Sequence, residues 1–105
     1  MYSVSITIGR NIADQLMNRD LWNEFKSSVK NELLNLNLQL TVSNTGIGEW
    51  DGIKEENFIA KGIREKPFAD DETDRLVKNL STLSKKYKQD AIAYAIGRSA
   101  LALAE

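Results

Sequence analysis

Apolar and polar residues alternate strictly at the start of the chain, from Tyr2 to Ile8. The even-numbered positions are apolar, and the odd-numbered ones between them are serine or threonine. This period of two is typical of a strand with one buried face. The pattern therefore predicts a first strand that is ended by Gly9-Arg10-Asn11.

The next segment changes to helical spacing. Asn18 suits the start of a helix, because its side-chain oxygen can accept from a free backbone N–H of the first turn. Apolar residues then recur three and four positions apart: Leu21, Trp22, Phe25, Val29, Leu33 and Leu36. We expect an amphipathic helix that runs to Asn35 and places Trp22 and Phe25 in the core.

Alternation returns in residues 38–42, whose three apolar side chains are predicted to share one face. This second strand runs on to Trp50, and Asp51-Gly52 supplies the turn. The third strand is predicted at residues 58–63, with its facing open because neither parity is uniformly apolar. Two glycines predict a β-bulge near residues 46–48.

Pro67 closes the third strand, and the acidic run at 70–74 lies where a helix dipole favours negative charge. The helix that follows is predicted to turn five side chains inward: Leu76, Val77, Leu80, Leu83 and Tyr87. Residues 91–96 predict a fourth strand, stopped by Gly97-Arg98. Residues 99–105 contain no turn signal, and they are predicted as a tail, a strand extension, a short helix or a cover for a neighbouring chain.

The order strand, helix, strand, strand, helix, strand predicts two interleaved βαβ-type halves in a single domain over residues 1–105. We expect a ferredoxin-like α+β sandwich. Its antiparallel sheet has the order 4-1-3-2, and both helices lie on one face.

Composition limits the chemistry. The 105 residues are 42% hydrophobic and 28% charged with a formal charge of −1, which predicts a folded domain without the field that attracts nucleic acid or anionic lipid. The absence of cysteine and histidine excludes disulfides, thiolate chemistry and the commonest transition-metal ligand. No apolar run is long enough to cross a membrane and no signal-peptide pattern opens the chain, so we expect a cytoplasmic protein.

In this topology the ends of the first and second strands meet the starts of the third and fourth at one rim of the sheet. The rim is predicted to hold these candidate binding residues: Arg10, Asn11, Glu49, Trp50, Asp51, Glu55, Glu56 and Asp90. The opposite rim collects Arg64, Glu65, Lys66 and Arg98, and is predicted to be a basic, solvated edge.

Two of the rim residues have alternative interpretations. Arg10 either forms a salt bridge to Glu55 or Glu56 that ties two strands together, or grips the carboxylate or phosphate of a ligand. Trp50 either packs against the stem of its own hairpin or anchors a protein partner, since Trp and Arg are enriched in binding hot spots.

No catalytic, metal or cofactor site is predicted. The rim carboxylates match no EF-hand spacing and have no nucleophile beside them, and the glycine pair at 46–48 lacks the helix and lysine of a phosphate loop. The open face of the sheet carries serine, threonine and alanine and so offers no platform for stacking RNA bases. Such a face suits a homodimer, formed face to face or by exchange of the hairpin.

Short motifs are spread over most of the chain: Ile8-Gly9-Arg10, Trp22 with Phe25, Leu40-Thr41-Val42, Gly48-Glu49-Trp50, Glu56, and Tyr87 followed by Gln89-Asp90-Ala91-Ile92. Together they resemble a small bacterial domain family of unknown function, with similar proteins in phages and prophages. The resemblance implies a ferredoxin-like fold and no established reaction, and it places Arg10, Trp50 and Glu56 on the same rim. Many members of that family look exported, whereas this chain shows no signal pattern.

Three hypotheses of function follow. The first is a non-enzymatic protein-interaction module, phage-encoded or prophage-encoded, that binds through the hairpin of residues 44–56. The alternative is a small protein or enzyme that binds an anionic ligand with Arg10 and Glu56. The third is a structural dimer subunit.

Overall fold

The computed structural model describes residues 1–12, 15–50 and 52–98, with the side chain of Trp50 excepted. Its elements in chain order are β1 (Tyr2–Gly9), β2 (Asn11–Ile12), β3 (Gln15–Leu16), α1 (Arg19–Asn35), β4 (Gln39–Trp50), β5 (Ile53–Arg64), α2 (Asp70–Lys86) and β6 (Ala93–Arg98). The predicted α+β fold, with two helices and a four-stranded antiparallel sheet, is confirmed. The predicted tail at 99–105 lies outside the described residues.

The four long strands form one sheet in the order β4-β5-β1-β6, and each neighbouring pair is antiparallel. The short strands β2 and β3 pair with each other in a separate ladder that was not predicted. The order expected for four strands is 4-1-3-2. The observed strand numbers differ from it, because the short ladder adds β2 and β3 to the count. β1 lies between β5 and β6, so the end of β1 reaches the stem of the β4–β5 hairpin.

One face of the sheet and the two helices enclose a single core. β1 buries Val4, Ile6 and Ile8 there, as its alternation predicts, and α1 buries both Trp22 and Phe25. The ring of Phe25 stacks on that of Tyr87, which follows α2, with 4.3 Å between centroids and 16° between planes. Since aromatic burial stabilises beyond its area when rings are in contact, this pair fastens the two helices to each other.

The predicted helix start is confirmed, because Asn18 Oδ1 accepts from the Leu21 amide at 2.8 Å. In α2, Leu76 and Leu80 are buried as expected, whereas Val77 is exposed. Position 77 lies about 100° around the helix from position 76, which turns it out of the narrow buried stripe.

The bulge prediction is wrong in its position. The register of β4 against β5 is regular through both glycines and shifts instead between Leu40 and Val42. Since one extra residue reverses the facing of all that follow, Leu40 packs against the core while Val42 is exposed on the other face. The predicted stop of the last strand is also wrong, since Gly97 and Arg98 pair with β1 inside β6.

Arg64 corrects the expectation of a solvated basic rim. Its side chain is only 8% exposed and forms a salt bridge to Glu72 with Nη2–Oε1 of 2.7 Å. The guanidinium also donates to three backbone carbonyls, those of Leu36 at 2.7 Å, Lys66 at 2.9 Å and Pro67 at 2.9 Å. It thereby joins the end of α1, the end of β5 and the start of α2.

We expect the free energy of unfolding to fall as the pH drops from about 4.5 to about 2. The hydrogen bonds from Arg64, with a further one from the Ala69 amide, lower the pKa of Glu72 from its usual 4.5 to about 2. A carboxyl whose pKa is lower in the folded state stabilises the fold above its unfolded pKa, and this contribution is lost as it protonates.

Urea unfolding at a series of pH values tests this dependence. The Glu72→Gln variant should show a shallower slope over that interval, whereas Glu65→Gln, which removes an exposed carboxylate nearby, should keep the slope of the parent. Equal slopes in all three proteins would contradict the assignment to Glu72.

Neither helix of the described chain is long and apolar enough to span a bilayer.

Candidate functional site

The predicted rim is the edge of the sheet where β1 ends and β5 begins. The β1–β5 ladder closes at the pair Gly9 and Asn57, and the Arg10 amide adds one more bond, to the Glu56 carbonyl at 3.0 Å. Beyond this point the β4–β5 hairpin continues alone, because each of its strands has 12 residues against eight in β1. The rim is therefore the base of a projecting hairpin.

Arg10 and Glu56 form a closed pair at this base. Arg10 Nη1 lies 2.8 Å from Glu56 Oε2, and Arg10 Nε donates to the Met17 carbonyl at 2.8 Å. The indole of Trp22 donates to the other carboxylate oxygen of Glu56 at 3.3 Å. The salt-bridge interpretation of Arg10 thus holds, with Glu56 rather than Glu55 as the partner.

The pKa of Glu56 is lowered, chiefly by the hydrogen bond from Arg10 and also by that from Trp22, while partial burial acts in the opposite direction. Lys26 adds a smaller favourable charge from α1, where its ammonium lies 5.4 Å from the centre of the Trp22 ring. Glu56 therefore stays ionised and is held in place by α1 and the β1 end together. Glu56 thus connects the hairpin to Trp22 in the core and to Arg10 at the end of β1.

Glu55 points to the opposite side of the sheet. Successive residues of a strand alternate between faces, so the carboxylate next to Glu56 in the sequence lies on the open face. It lies directly over Gly9, where a Cβ would overlap Glu55 Oε1. Glycine at position 9 is what allows this close approach.

Asn57 lies on the same open face between two glycines of neighbouring strands. It pairs with Gly46 on β4 and with Gly9 on β1. A Cβ at Gly48 would come within 2.8 Å of Asn57 Nδ2, and one at Gly46 within 3.3 Å of Asn57 Oδ1. The amide therefore occupies space on β4 that is open because Gly46 and Gly48 have no side chains.

These residues line a depression of about 600 Å³ on the open face. Gly9 and Gly48 form its floor, Glu55 and Asn57 supply polar atoms, and the segment 91–93 forms an apolar wall. Its volume falls within the usual range for small-molecule sites.

A second groove, of about 580 Å³, adjoins the depression and also has Glu55 in its lining. Asn11 and Asp90 meet here, and Gln89 Nε2 donates to the Asn11 carbonyl at 3.2 Å. Five predicted rim residues thus lie at one end of the sheet: Arg10, Asn11, Glu55, Glu56 and Asp90. The sheet separates Glu56 from Glu55.

The outer part of the hairpin is exposed. Ile47 and Ile53 are 77% and 62% accessible and project from β4 and β5 beyond the end of β1. Glu49 is also exposed and lies opposite Lys54 in the ladder. Two predicted rim residues fall outside the description: the side chain of Trp50 and the whole of Asp51.

Sequence reasoning missed Asn57, Gly9 and the hydrogen bond from the Trp22 indole. The glycines of β4 predict a bulge from the sequence, whereas in the structure they leave room for the Asn57 side chain. Only the register shows that Gly46, Asn57 and Gly9 share one row, and no periodicity within a single strand carries that information. Among the described residues, no group of three or more acidic side chains is close enough to hold a metal ion.

Comparison with protein-family models and with curated proteins gives no match. Among solved structures, the chain is similar to a phage SAM lyase in complex with S-methyl-5'-thioadenosine, with 15% identity, a TM-score of 0.57, and coverage of 91% of this chain and 79% of that one. The apo state of a phage SAM lyase gives 16% identity and a TM-score of 0.58, with coverage of 91% and 78%.

The fold is also similar to the C-terminal domain of the MgtC protein from Mycobacterium tuberculosis. Identity is 14% and the TM-score 0.52, with 97% of this chain and 92% of that chain covered. At such identities the likeness shows a shared α+β fold. It assigns no reaction and no ligand.

Proposed function

We propose that this chain is a non-enzymatic protein-interaction module that binds a protein partner through the hairpin of residues 44–56. The observation that supports the proposal is the exposure of Ile47 and Ile53 on a hairpin that extends past its neighbouring strand. Isolated apolar side chains on a surface are ordinary, but two on opposite faces of a projecting ribbon present both of its sides to a partner.

The base of the hairpin supports the same proposal. Glu56 fixes the hairpin stem to α1, because its carboxylate already accepts hydrogen bonds from both Arg10 and Trp22. A binding segment held rigidly loses less conformational entropy when it binds. In this proposal Arg10 supports the binding element and does not contact the partner.

The geometry favours this function over anion binding by Arg10. A guanidinium grips a carboxylate or phosphate through parallel N–H groups, and both Nη1 and Nε of Arg10 are engaged within the protein. A phage or prophage origin belongs to the proposal as well, supported by the likeness in fold to a phage protein.

Site-specific photo-crosslinking tests the interaction. A photoreactive phenylalanine placed at position 53 should give discrete adducts in lysate of the host cell, with the partner identified by mass spectrometry. The same residue at position 82, an exposed site on α2, is the matched control and should give none. An adduct of twice the chain mass, formed by the purified protein alone, would identify the partner as a second copy.

A double variant, Ile47→Ser with Ile53→Ser, should abolish these adducts from a photoreactive residue at position 49. Because both isoleucines are exposed, we expect the free energy of unfolding to change by less than about 0.5 kcal/mol. Equal labelling at positions 53 and 82, or adducts that persist in the double variant, would contradict the proposal.

A further inference from the structure

We infer that the depression on the open face is a binding site for a small primary amine with an apolar body, held through Glu55. The depression shares Gly48, Glu49 and Glu55 with the hairpin of residues 44–56, but it uses neither exposed isoleucine. Three features of the depression point to such a ligand: its polar groups, its glycine floor and its charge.

The polar groups of the depression are free to bind. Within the described chain, Glu55 and Asn57 have no side-chain hydrogen bond and no ion pair, although both are half-buried. Glu56, one residue away, accepts from both Arg10 and Trp22. Two neighbouring carboxylates thus have different environments, and the one on the open face has acceptor capacity to spare.

The floor keeps these groups accessible to a ligand. Any side chain at position 9 would occupy the place of the Glu55 carboxylate, and one at position 48 would press on Asn57 Nδ2. Glycines at these two positions leave room for the polar atoms close to the backbone, with open space above them. A small molecule can therefore reach the carboxylate and the amide together.

The charge of the depression selects a cation. Glu55 is the acidic side chain that this lining presents on the open face, since Glu49 alternates with Gly48 and belongs to the opposite face. The lining contains no lysine or arginine, and Lys88 lies in the adjoining groove beside Asp90. A primary ammonium has three donors and no acceptor. Glu55 and the Thr7 hydroxyl supply acceptors in the lining, and the wall formed by residues 91–93 suits an alkyl body.

The test compares n-hexylammonium with n-hexanol, which has nearly the same shape and no charge. Each is titrated into the whole chain while amide chemical shifts are followed by nitrogen–proton correlation spectra. Saturable shifts are expected for n-hexylammonium at Thr7, Gly9, Gly48, Glu55 and Asn57. Its affinity should exceed that of n-hexanol by about tenfold, the value of one charge-assisted hydrogen bond.

Two variants and a control make the result specific. Glu55→Gln should weaken the binding of n-hexylammonium about tenfold, and Gly48→Ala should weaken it by filling part of the floor of the depression. Glu65→Gln removes an exposed acidic side chain outside the depression and should leave binding unchanged. Equal affinity for the ammonium and the alcohol, or unchanged binding in Glu55→Gln, would overturn the inference, as would the absence of saturable shifts. None of these outcomes alters the crosslinking result at position 53, so the two proposals fail separately.

Discussion

The Arg64→Ala variant should lose about 3 kcal/mol of its free energy of unfolding. The substitution removes the salt bridge to Glu72 and the donors to the carbonyls of Leu36, Lys66 and Pro67. It also removes the guanidinium that lies 4.2 Å from the centre of the Phe68 ring. The effect is large because three chain segments lose their common partner at once.

Urea unfolding of Arg64→Ala, Arg64→Lys and Arg75→Ala separates geometry from charge. Lysine keeps the charge but lacks the planar fork, so Arg64→Lys should recover less than half of the loss. Arg75 is an exposed residue of α2, and Arg75→Ala should stay within about 0.5 kcal/mol of the parent. If Arg64→Lys is as stable as the parent, the hydrogen bonds from Arg64 to the three backbone carbonyls do not account for the loss of stability in Arg64→Ala.

Trp22→Ala should have a still larger effect, about 4 kcal/mol, because the indole is almost fully buried in the core. Its ring lies 6.2 Å from that of Phe25 at 70°, an edge-to-face contact, and its N–H reaches Glu56. The variant should therefore weaken both the core and the base of the hairpin.

Trp22→Phe isolates the second contribution, because phenylalanine keeps most of the apolar volume but cannot donate to Glu56. We expect a smaller loss, about 1 to 2 kcal/mol, with faster amide exchange in the hairpin stem than elsewhere in the sheet. Leu34→Ala, at an exposed position of α1, is the control. Uniform exchange across the sheet in Trp22→Phe would contradict the role of the indole as a support of the hairpin.

Local periodicity was enough to predict β1 and α1. Each has an unbroken pattern and a clear boundary, with Asn18 at the helix start and the glycine at position 9 at the strand end. Such elements follow from side chains within a few positions of one another, so the sequence alone contains their determinants.

The arrangement of the site is set by the pairing of β5 with its neighbouring strands, which the sequence of one strand does not determine. The facing of β5 could not be predicted because neither of its parities is uniformly apolar. Pairing with β1 decides it by burying Phe58 and Ala60, and this sends Glu56 to the helices and Glu55 to the open face. The partner of Arg10 therefore could not be chosen between the two glutamates.

Arg64 was misjudged for a related reason. An arginine at the end of a strand, next to other charged residues, is ordinarily solvated. Its three carbonyl partners lie in two separate segments of the chain, and no spacing rule connects them. Only the docking of α2 beside the end of α1 creates the position that the guanidinium fills.

The opposite orientation of Glu55 and Glu56 has a consequence for how this protein can change. Glu55 lies on the open face, where small solutes can reach it, whereas the next residue, Glu56, is hydrogen-bonded to Arg10 and Trp22. Substitution of Glu55 can therefore change the charge of the open face while the contacts of Glu56 with Arg10 and Trp22 stay intact. The two faces of β5 thus give neighbouring acids different tasks, one turned toward dissolved molecules and one toward the interior.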